Sequence, residues 1–360
     1  MICKLENKVM NYDWGTFDYI PNLLSVEADG LPQAELWMGA HLKAPSIADG
    51  QSLGELISKM RTPELSFLMK VLSAKEALSI QAHPKKKDAV LGFERESKLG
   101  LDIDHDKRSY KDSNEKPELA IALTEFWGLV GFRMVNEIVK MFRMMCLNSF
   151  SREIDDLEKS GDLRVFFEAL LNHENKGLLI RESIECSSRY SEPEFSWIVG
   201  LANKYPGDIG VFAPAYLNLI RLKPSEGIFL GPGVLHAYLK GTIIEIMGNS
   251  DNVLRGGLSS KYVDKEGLVG ILEFEEFVPE IIVPKDGVYH TPAKEFELSV
   301  VGDGFHAESE GSEILFCLEG LGFIDSAETI KISRGDSFYV SPGTRYRISD
   351  NVIVYRARQL

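Results

Sequence analysis

Two histidines, one glutamate and one glutamine carry the most pointed chemistry in this sequence. Gln81 and His83 stand two apart in LSIQAHP (78–84), and on a strand residues two apart share a face. Glu118 directly precedes the apolar run LAIAL, just after Pro117, and His236 lies in GPGVLHAYL. His83 and His236 both sit in strand-like contexts that would face the interior of a barrel. Together the four side chains offer two neutral imidazoles, one carboxylate and one amide oxygen. That set suits a borderline divalent ion, Zn²⁺ first, with Mn²⁺, Co²⁺ or Fe²⁺ also compatible. A single carboxylate leaves the site with a net positive charge, so the ion stays an effective Lewis acid. Each residue taken alone reads more simply as a hydrogen-bonded polar group near a strand end. Spacing alone does not gather residues scattered from 81 to 236.

The elements that must position them change character along the chain. Residues 1–70 are mixed, with ADG turn signals at 28–30 and 48–50. TPELSFLMKVL (62–72) begins like a capped helix, with Thr62 as N-cap and Pro63 in the first turn. LSIQAH (78–83) and LAIALTEFWGLVGF (119–132) read as strands, and KKKDAVLGFERESKLGL (85–101) between them as helical. From Val135 an apolar stripe sets in: Val135, Ile138, Val139, Phe142 and Met145 recur at three- and four-residue steps. Leu163, Phe166, Phe167 and Leu170 repeat it, and PEFSWIVGLANKY (193–205) reads as a further helix. From Val211 onward strands and turns dominate. There KPSEGIFLGPGVLHAYL (223–239) resembles KISRGDSFYVSPGTRYRI (331–348), the first closing on His236 and the second on Tyr346. A repeat of this kind suggests duplicated jelly-roll barrels, of which only the first keeps its histidine.

The chain has 360 residues and a formal net charge of −14, which argues against nucleic acid or an anionic membrane as partner. An anionic small substrate would need a local basic pocket. Cys3, Cys146, Cys186 and Cys317 are far apart and form no CxxC, so they read as reduced thiols. No apolar run reaches membrane-spanning length. The expectation is a cytoplasmic protein, and a monomer is compatible with it. No P-loop or dinucleotide fingerprint is present.

LSIQAHP, NEKPELAIAL and PGVLHAYLKGTIIEIMGNSDNVLRGGLSSKYVD, in that order, resemble the signature blocks of the type I mannose-6-phosphate isomerases. YDWG (12–15) and AELWMGAHLKAPS (34–46) are similar to earlier blocks of that family. The resemblance implies a mainly β fold with an α-helical insertion. It would comprise a metal-bearing cupin (jelly-roll) catalytic domain, 1–135 and 206–265, a helical insertion, 136–205, and a C-terminal cupin-like domain without metal, 266–360. It implies one zinc held by Gln81, His83, Glu118 and His236. The reaction implied is interconversion of mannose 6-phosphate and fructose 6-phosphate through an enediol.

Such a reaction needs charge stabilised on oxygen, a base within reach of the carbon, and a grip on the phosphate. Arg255 in NVLRGG matches the family's active-site arginine. Lys116, Glu245 and Asp251 are the candidates for proton handling. Lys70, Ser79 and Lys261 match family positions lining the same pocket. Tyr238, two beyond His236, should face the same way, and Asn252 belongs to the same SDN turn as Asp251. Lys85–Lys87 read as a solvated face, and His41, His290 and His306 as structural. One departure stands out: relatives read NHKPE where this chain reads NEKPE, with Glu115. Two rival functions use the same residues, a cupin Fe²⁺ oxygenase and a non-catalytic sugar-phosphate sensor. Gln81 as a fourth ligand argues against the first, and Arg255 with Lys116 against the second.

Overall fold

The computed structural model describes all 360 residues. The fold is mainly β, with every ladder between strands antiparallel, and ten α-helices are added to it. A ten-stranded sheet runs Leu217–Leu222, Phe126–Phe132, His236–Gly248, Phe67–Ala74, Glu35–Met38, Lys8–Met10. Gly227–Leu230, Glu118–Ala122, Ile80–Ala82 and Leu254–Gly257 branch from this path. A nine-stranded sheet holds most of the C-terminal chain, and its edge is the first strand of the protein, Ile2–Lys4. No helix is long and apolar enough to cross a membrane.

One strand organises the first sheet. Residues 236–240 of His236–Gly248 pair with Phe126–Phe132, while residues 241–248 pair with Phe67–Ala74 and, over part of their length, with Glu118–Ala122. The change of partner coincides with a register shift between Tyr238 and Lys240 and with Gly241 at φ +117°. A bulge with a glycine bends a strand and raises its twist. A Cβ at Gly241 would run into the Glu125 carbonyl oxygen and the Phe126 backbone. The second sheet uses the same device in Glu313–Asp325, with a register shift between Cys317 and Glu319 and Gly320 at φ +95°. Each β unit is thus two layers sharing a bent strand. Neither ladder returns to its starting strand, so the closed barrels expected from the repeat are not formed as continuous sheets.

Alternation along the bent strand sorts its side chains. Ile244 and Ile246 join the apolar layer between the sheets, with Val71 and Leu119 facing Ile314, Phe316, Tyr355 and Ala357. Ile243 turns the other way, into the interior of the first unit with Leu72, Ala120 and Tyr238. Glu245 shares the parity of Ile243 and is paired in register with Lys70 and Ala120. The helices Val135–Met144, Leu163–Asn172 and Pro193–Lys204 appear where the apolar stripes predict them, and Pro193 occupies the first turn of the last. They bury Ile138, Phe142, Phe166, Phe167 and Phe195 against Leu129, Phe132, Ala237 and Leu239.

The helix expected from Thr62 is not there. Phe67–Ala74 is instead a strand with all eight residues buried. A strand covered on both faces shows no alternation, so its apolar run mimics a helix segment. The capped helix lies one element earlier, at Leu53–Lys59, where Ser52 and Glu55 form a reciprocal capping box.

Gly241→Ala forces a side chain into a backbone conformation and a space that exclude it. We expect a loss of about 1–3 kcal/mol, read as a lower midpoint in urea unfolding; an unchanged midpoint would show that the bend tolerates a Cβ.

Candidate metal centre

His236 is the first residue of the bent strand and pairs in register with Gln81, which pairs on its other side with Arg255. Directly opposed residues on antiparallel strands project from the same face. His83 lies one residue beyond the short strand Ile80–Ala82. Glu118 opens its own strand, opposite Met247 and Leu230. The chain turns sharply in character after Pro84: His83 looks inward, whereas Lys85–Lys87 are exposed.

His83, Glu118 and His236 offer ligand atoms that all lie within 4.8 Å of one another. His83 Nε2 is 3.2 Å from Glu118 Oε1, and His236 Nε2 is 3.3 Å from Glu118 Oε2. All three residues are only 1 % exposed. The tautomers follow from the backbone: His83 Nδ1 faces the Asn252 carbonyl at 2.6 Å and His236 Nδ1 faces the Val234 carbonyl at 2.9 Å. A carbonyl only accepts, so each Nδ1 carries the proton and each Nε2 a lone pair. Both Nε2 atoms and Glu118 Oε2 are buried without a hydrogen-bond partner. Three converging acceptors with no donor between them are costly unless a cation joins them. Two imidazole nitrogens and a carboxylate fit Zn²⁺.

The surroundings keep this donor set unprotonated. Burial, with Lys116 next, pushes His83 down to about 4. Burial alone would push the Glu118 carboxyl up, but Lys116 first, then His83 and His236, hold it well below the usual carboxylate range. Lys116 Nζ is 2.8 Å from Glu118 Oε1. Gln81 is partly exposed, and its amide oxygen accepts from the Ser79 hydroxyl at 3.5 Å.

A polar wall crosses the sheet beside the centre. Trp37, Lys70 and Glu245 are successive partners in register. Lys70 Nζ is 3.2 Å from Glu245 Oε2, 3.8 Å from Glu35 Oε1 and 5.1 Å from the Trp37 ring centroid. Tyr238 donates to Glu245 Oε1 at 2.8 Å. Burial lowers the affinity of Lys70 for its proton, yet Glu35, Glu245 and Glu118 raise it above the ordinary lysine value. Both Glu245 oxygens are therefore committed to buried partners.

A rim of loops adjoins the wall at Trp37, whose ring meets that of His41. Asp251 Oδ1 lies 3.4 Å from His41 Nε2 and Oδ2 lies 2.6 Å from Lys43 Nζ. Burial raises the Asp251 carboxyl, and His41 and Lys43 pull it below the usual carboxylate range. Lys111 and Lys261 lie within electrostatic reach of both Lys43 and Arg255. Arg255, Lys111 and Lys261 have no carboxylate partner, and both lysines are pushed below the ordinary value by burial and then by the neighbouring cations. Asn252, expected to meet substrate, is fully buried with a saturated amide. Its Oδ1 accepts from the Lys111 and Asp112 N–H groups at 2.7 and 3.1 Å, and its Nδ2 donates to the Asp112 and Asn114 carbonyls at 2.9 and 2.8 Å. Glu115 is partly buried.

Glu35, Trp37, His41, Lys43 and Asp112 join the site without being expected there from the sequence. The alternation E-x-W in AELWM is the available signal, since it puts Glu35 and Trp37 on one face. His41, read as structural, is buried against Asp251.

A family model described as phosphomannose isomerase type I, catalytic domain, matches residues 2–135. The mannose-6-phosphate isomerase of Salmonella typhimurium is 35 % identical, with 94 % of each chain covered. The chain belongs to the type I phosphomannose isomerases. A crystal structure of the Salmonella typhimurium enzyme bound to substrate and zinc superposes with a TM-score of 0.93 at 31 % identity, covering 99 % of both chains. Alanine variants of that enzyme, matching with TM-scores of 0.91 to 0.92 at 30–31 % identity and 99–100 % coverage of both chains, replace a lysine, a histidine, a second lysine and a glutamate. Their spacing along that chain is the spacing of Lys70, His83, Lys116 and Glu118 here.

Glu118→Gln keeps the shape of the side chain and removes the negative charge that a divalent ion would meet between the two Nε2 lone pairs. Zinc affinity should fall on the order of 100-fold or more, measured by chelator competition, with the fold retained by circular dichroism. Undiminished affinity would take Glu118 out of the centre.

Proposed function

We propose that this phosphomannose isomerase family member is a zinc-dependent aldose–ketose isomerase that interconverts mannose 6-phosphate and fructose 6-phosphate. The observation that carries this reading is the buried trio of unpartnered acceptors on His83, Glu118 and His236, set next to a group of cations without carboxylate partners in an acidic chain. Gln81 is the fourth ligand in this reading, supported by its register between His236 and Arg255. When bound, zinc supplies Lewis-acid stabilisation of charge developing on the sugar oxygens.

The chain's own residues supply the rest. Arg255 and Lys261 hold the phosphate. Arg255 is two strand positions from His236, a span of roughly 10 Å at the usual spacing between strands, which matches an extended hexose phosphate. Isomerisation removes a proton from the carbon next to the carbonyl and returns it to the neighbouring carbon. Lys116, beside Glu118, donates to the oxygen that becomes negative. Glu245 serves as the anchor of the polar wall, because Tyr238 and Lys70 already occupy its two oxygens. Asp251 is the better base, since one of its oxygens is held only by the 42 % exposed Lys43 side chain and an exposed ion pair exchanges partners at little cost. Lys70 and Tyr238 shape the wall, Ser79 faces the sugar hydroxyls, and Asn252 acts as a structural pin.

We infer the finer division of the fold in the same way. The two units, each with a bent strand and each carrying one copy of the repeated turn, support a pair of cupin-type jelly rolls. The first would comprise 1–135 and 206–265, the second 266–360, with 136–205 as a helical insertion. Ile2–Lys4 crosses this division by pairing with the second sheet. Four free cysteines suit a reducing compartment such as the cytoplasm.

Metal analysis coupled to the isomerase assay tests the proposal. Chelation should abolish conversion of mannose 6-phosphate, and one equivalent of Zn²⁺ should restore it; a fully metallated sample that leaves the sugar unchanged would end the reading. Arg255→Ala should lower kcat/KM on the order of 10- to 100-fold through loss of charge-assisted hydrogen bonds, mainly in KM. A loss confined to kcat would place Arg255 at the reacting carbons instead.

A further inference from the structure

Asp251 is held by one fixed partner and one movable one. The fixed partner is His41, which is buried and packs edge-on against Trp37 with ring centroids 4.9 Å apart. His41 Nδ1 accepts the Lys43 backbone N–H at 3.3 Å, so its Nε2 is the donor aimed at Asp251 Oδ1. The Asp251 backbone N–H donates to Asp112 Oδ2 at 2.8 Å, which fixes the carboxylate's base. The movable partner is Lys43. Its ammonium sits 2.6 Å from Asp251 Oδ2 on a 42 % exposed side chain, and it lies within electrostatic reach of Lys111 and Lys261, which in turn feel Arg255. Of these four cations, only Lys43 has a carboxylate partner.

We propose that Lys43 is a further ligand of the substrate phosphate, and that it reaches the phosphate by leaving Asp251. This inference rests on the isomerase reading above. A dianionic phosphate held by Arg255 and Lys261 draws the nearby flexible ammonium toward itself. Asp251 then keeps His41, Asp112, Lys111 and Tyr12 as its ionisable neighbours and loses its only direct ammonium contact. A carboxylate freed of an ammonium is a stronger base. Its Oδ2 takes the proton from the carbon beside the carbonyl. The C–H electron pair becomes the C=C bond of the enediol while the carbonyl π pair moves onto its oxygen, which takes a proton from Lys116. On collapse the hydroxyl of the other carbon returns a proton to Lys116, and its O–H pair becomes the new C=O bond. The C=C pair takes the proton back from Asp251 onto the former carbonyl carbon. The arrangement makes the phosphate a trigger as well as a handle. Plain mannose, which lacks it, leaves Lys43 on Asp251 and the base restrained.

Lys43→Met separates this from a structural role, because the two substrates should respond in opposite directions. With mannose 6-phosphate, kcat/KM should fall on the order of 10-fold, as expected for one lost charged contact. With unphosphorylated mannose it should rise several-fold over wild type, roughly the gain expected from relieving one ion pair. Adding inorganic phosphite should accelerate mannose turnover by the wild-type enzyme and leave the variant unmoved. Zinc content and thermal midpoint, which should match wild type, verify that the variant is folded. A variant slowed equally on both sugars, or changed on neither, overturns the proposal. If wild-type holoenzyme fails to turn over mannose 6-phosphate, the isomerase reading falls instead. Calorimetric titration with inorganic phosphate then decides for Lys43 alone, and equal affinity in variant and wild type removes it from the anion site.

Discussion

Two backbone carbonyls, those of Asn252 and Val234, fix the chemistry of this protein by taking the Nδ1 protons of His83 and His236. With those protons spent, both imidazoles must present lone pairs to Glu118, and the buried centre has acceptors only. A network of neutral donors would have satisfied the same burial without inviting an ion. The carbonyl of Asn252 is itself fixed, because its side chain fastens residues 111–114 to the loop that bears Asp251. Residues 111–114 run straight on to Lys116 and Glu118. One asparagine therefore aligns a histidine through its backbone and a glutamate through its side chain, from opposite directions.

The second β unit, also built on a bent strand, treats its buried carboxylate differently. Its buried Glu313 accepts from Tyr346 at 2.6 Å and from Arg356 Nε at 2.9 Å, with a further Arg356 contact to its other oxygen. Tyr346 closes the second copy of the repeat where His236 closes the first. A guanidinium and a phenol neutralise and satisfy that carboxylate, whereas Glu118 is met by two lone pairs and one lysine. The difference between a metal centre and an inert interior thus comes down to whether the partners of one buried carboxylate donate or accept.

Much of this is legible along the chain, for reasons that differ by element. The helices at 135–144 and 163–172 announce themselves because each buries one stripe and exposes the other side. The four expected ligands are legible as residue types in strand contexts, and the resemblance of whole blocks supplies their grouping. Phe67–Ala74 reads as a helix because full burial erases alternation, and periodicity is then silent about type. His41 and Lys43 escape a sequence reading because their meaning depends on Asp251, more than two hundred positions away, and no local pattern encodes that meeting. Asn252 is legible as a residue of the right loop, but a saturated amide and a free one look the same in sequence. The closed barrels are expected from a turn motif that recurs, and a turn fixes the hairpin it joins without fixing whether the outermost strands meet.

The bent strand His236–Gly248 carries one histidine of the buried trio, the tyrosine of the polar wall and the glutamate that anchors Lys70, and it is clamped by partners on both sides. Centre and wall are consequently one rigid piece, and none of its members can be repositioned without disturbing both layers of the sheet. Among the rim residues, Lys43 is under no such restraint, its ammonium standing on a 42 % exposed side chain. Diversification among descendants of this chain is thereby channelled: change is admitted at exposed rim side chains such as Lys43, while the buried centre and the wall stay as they are.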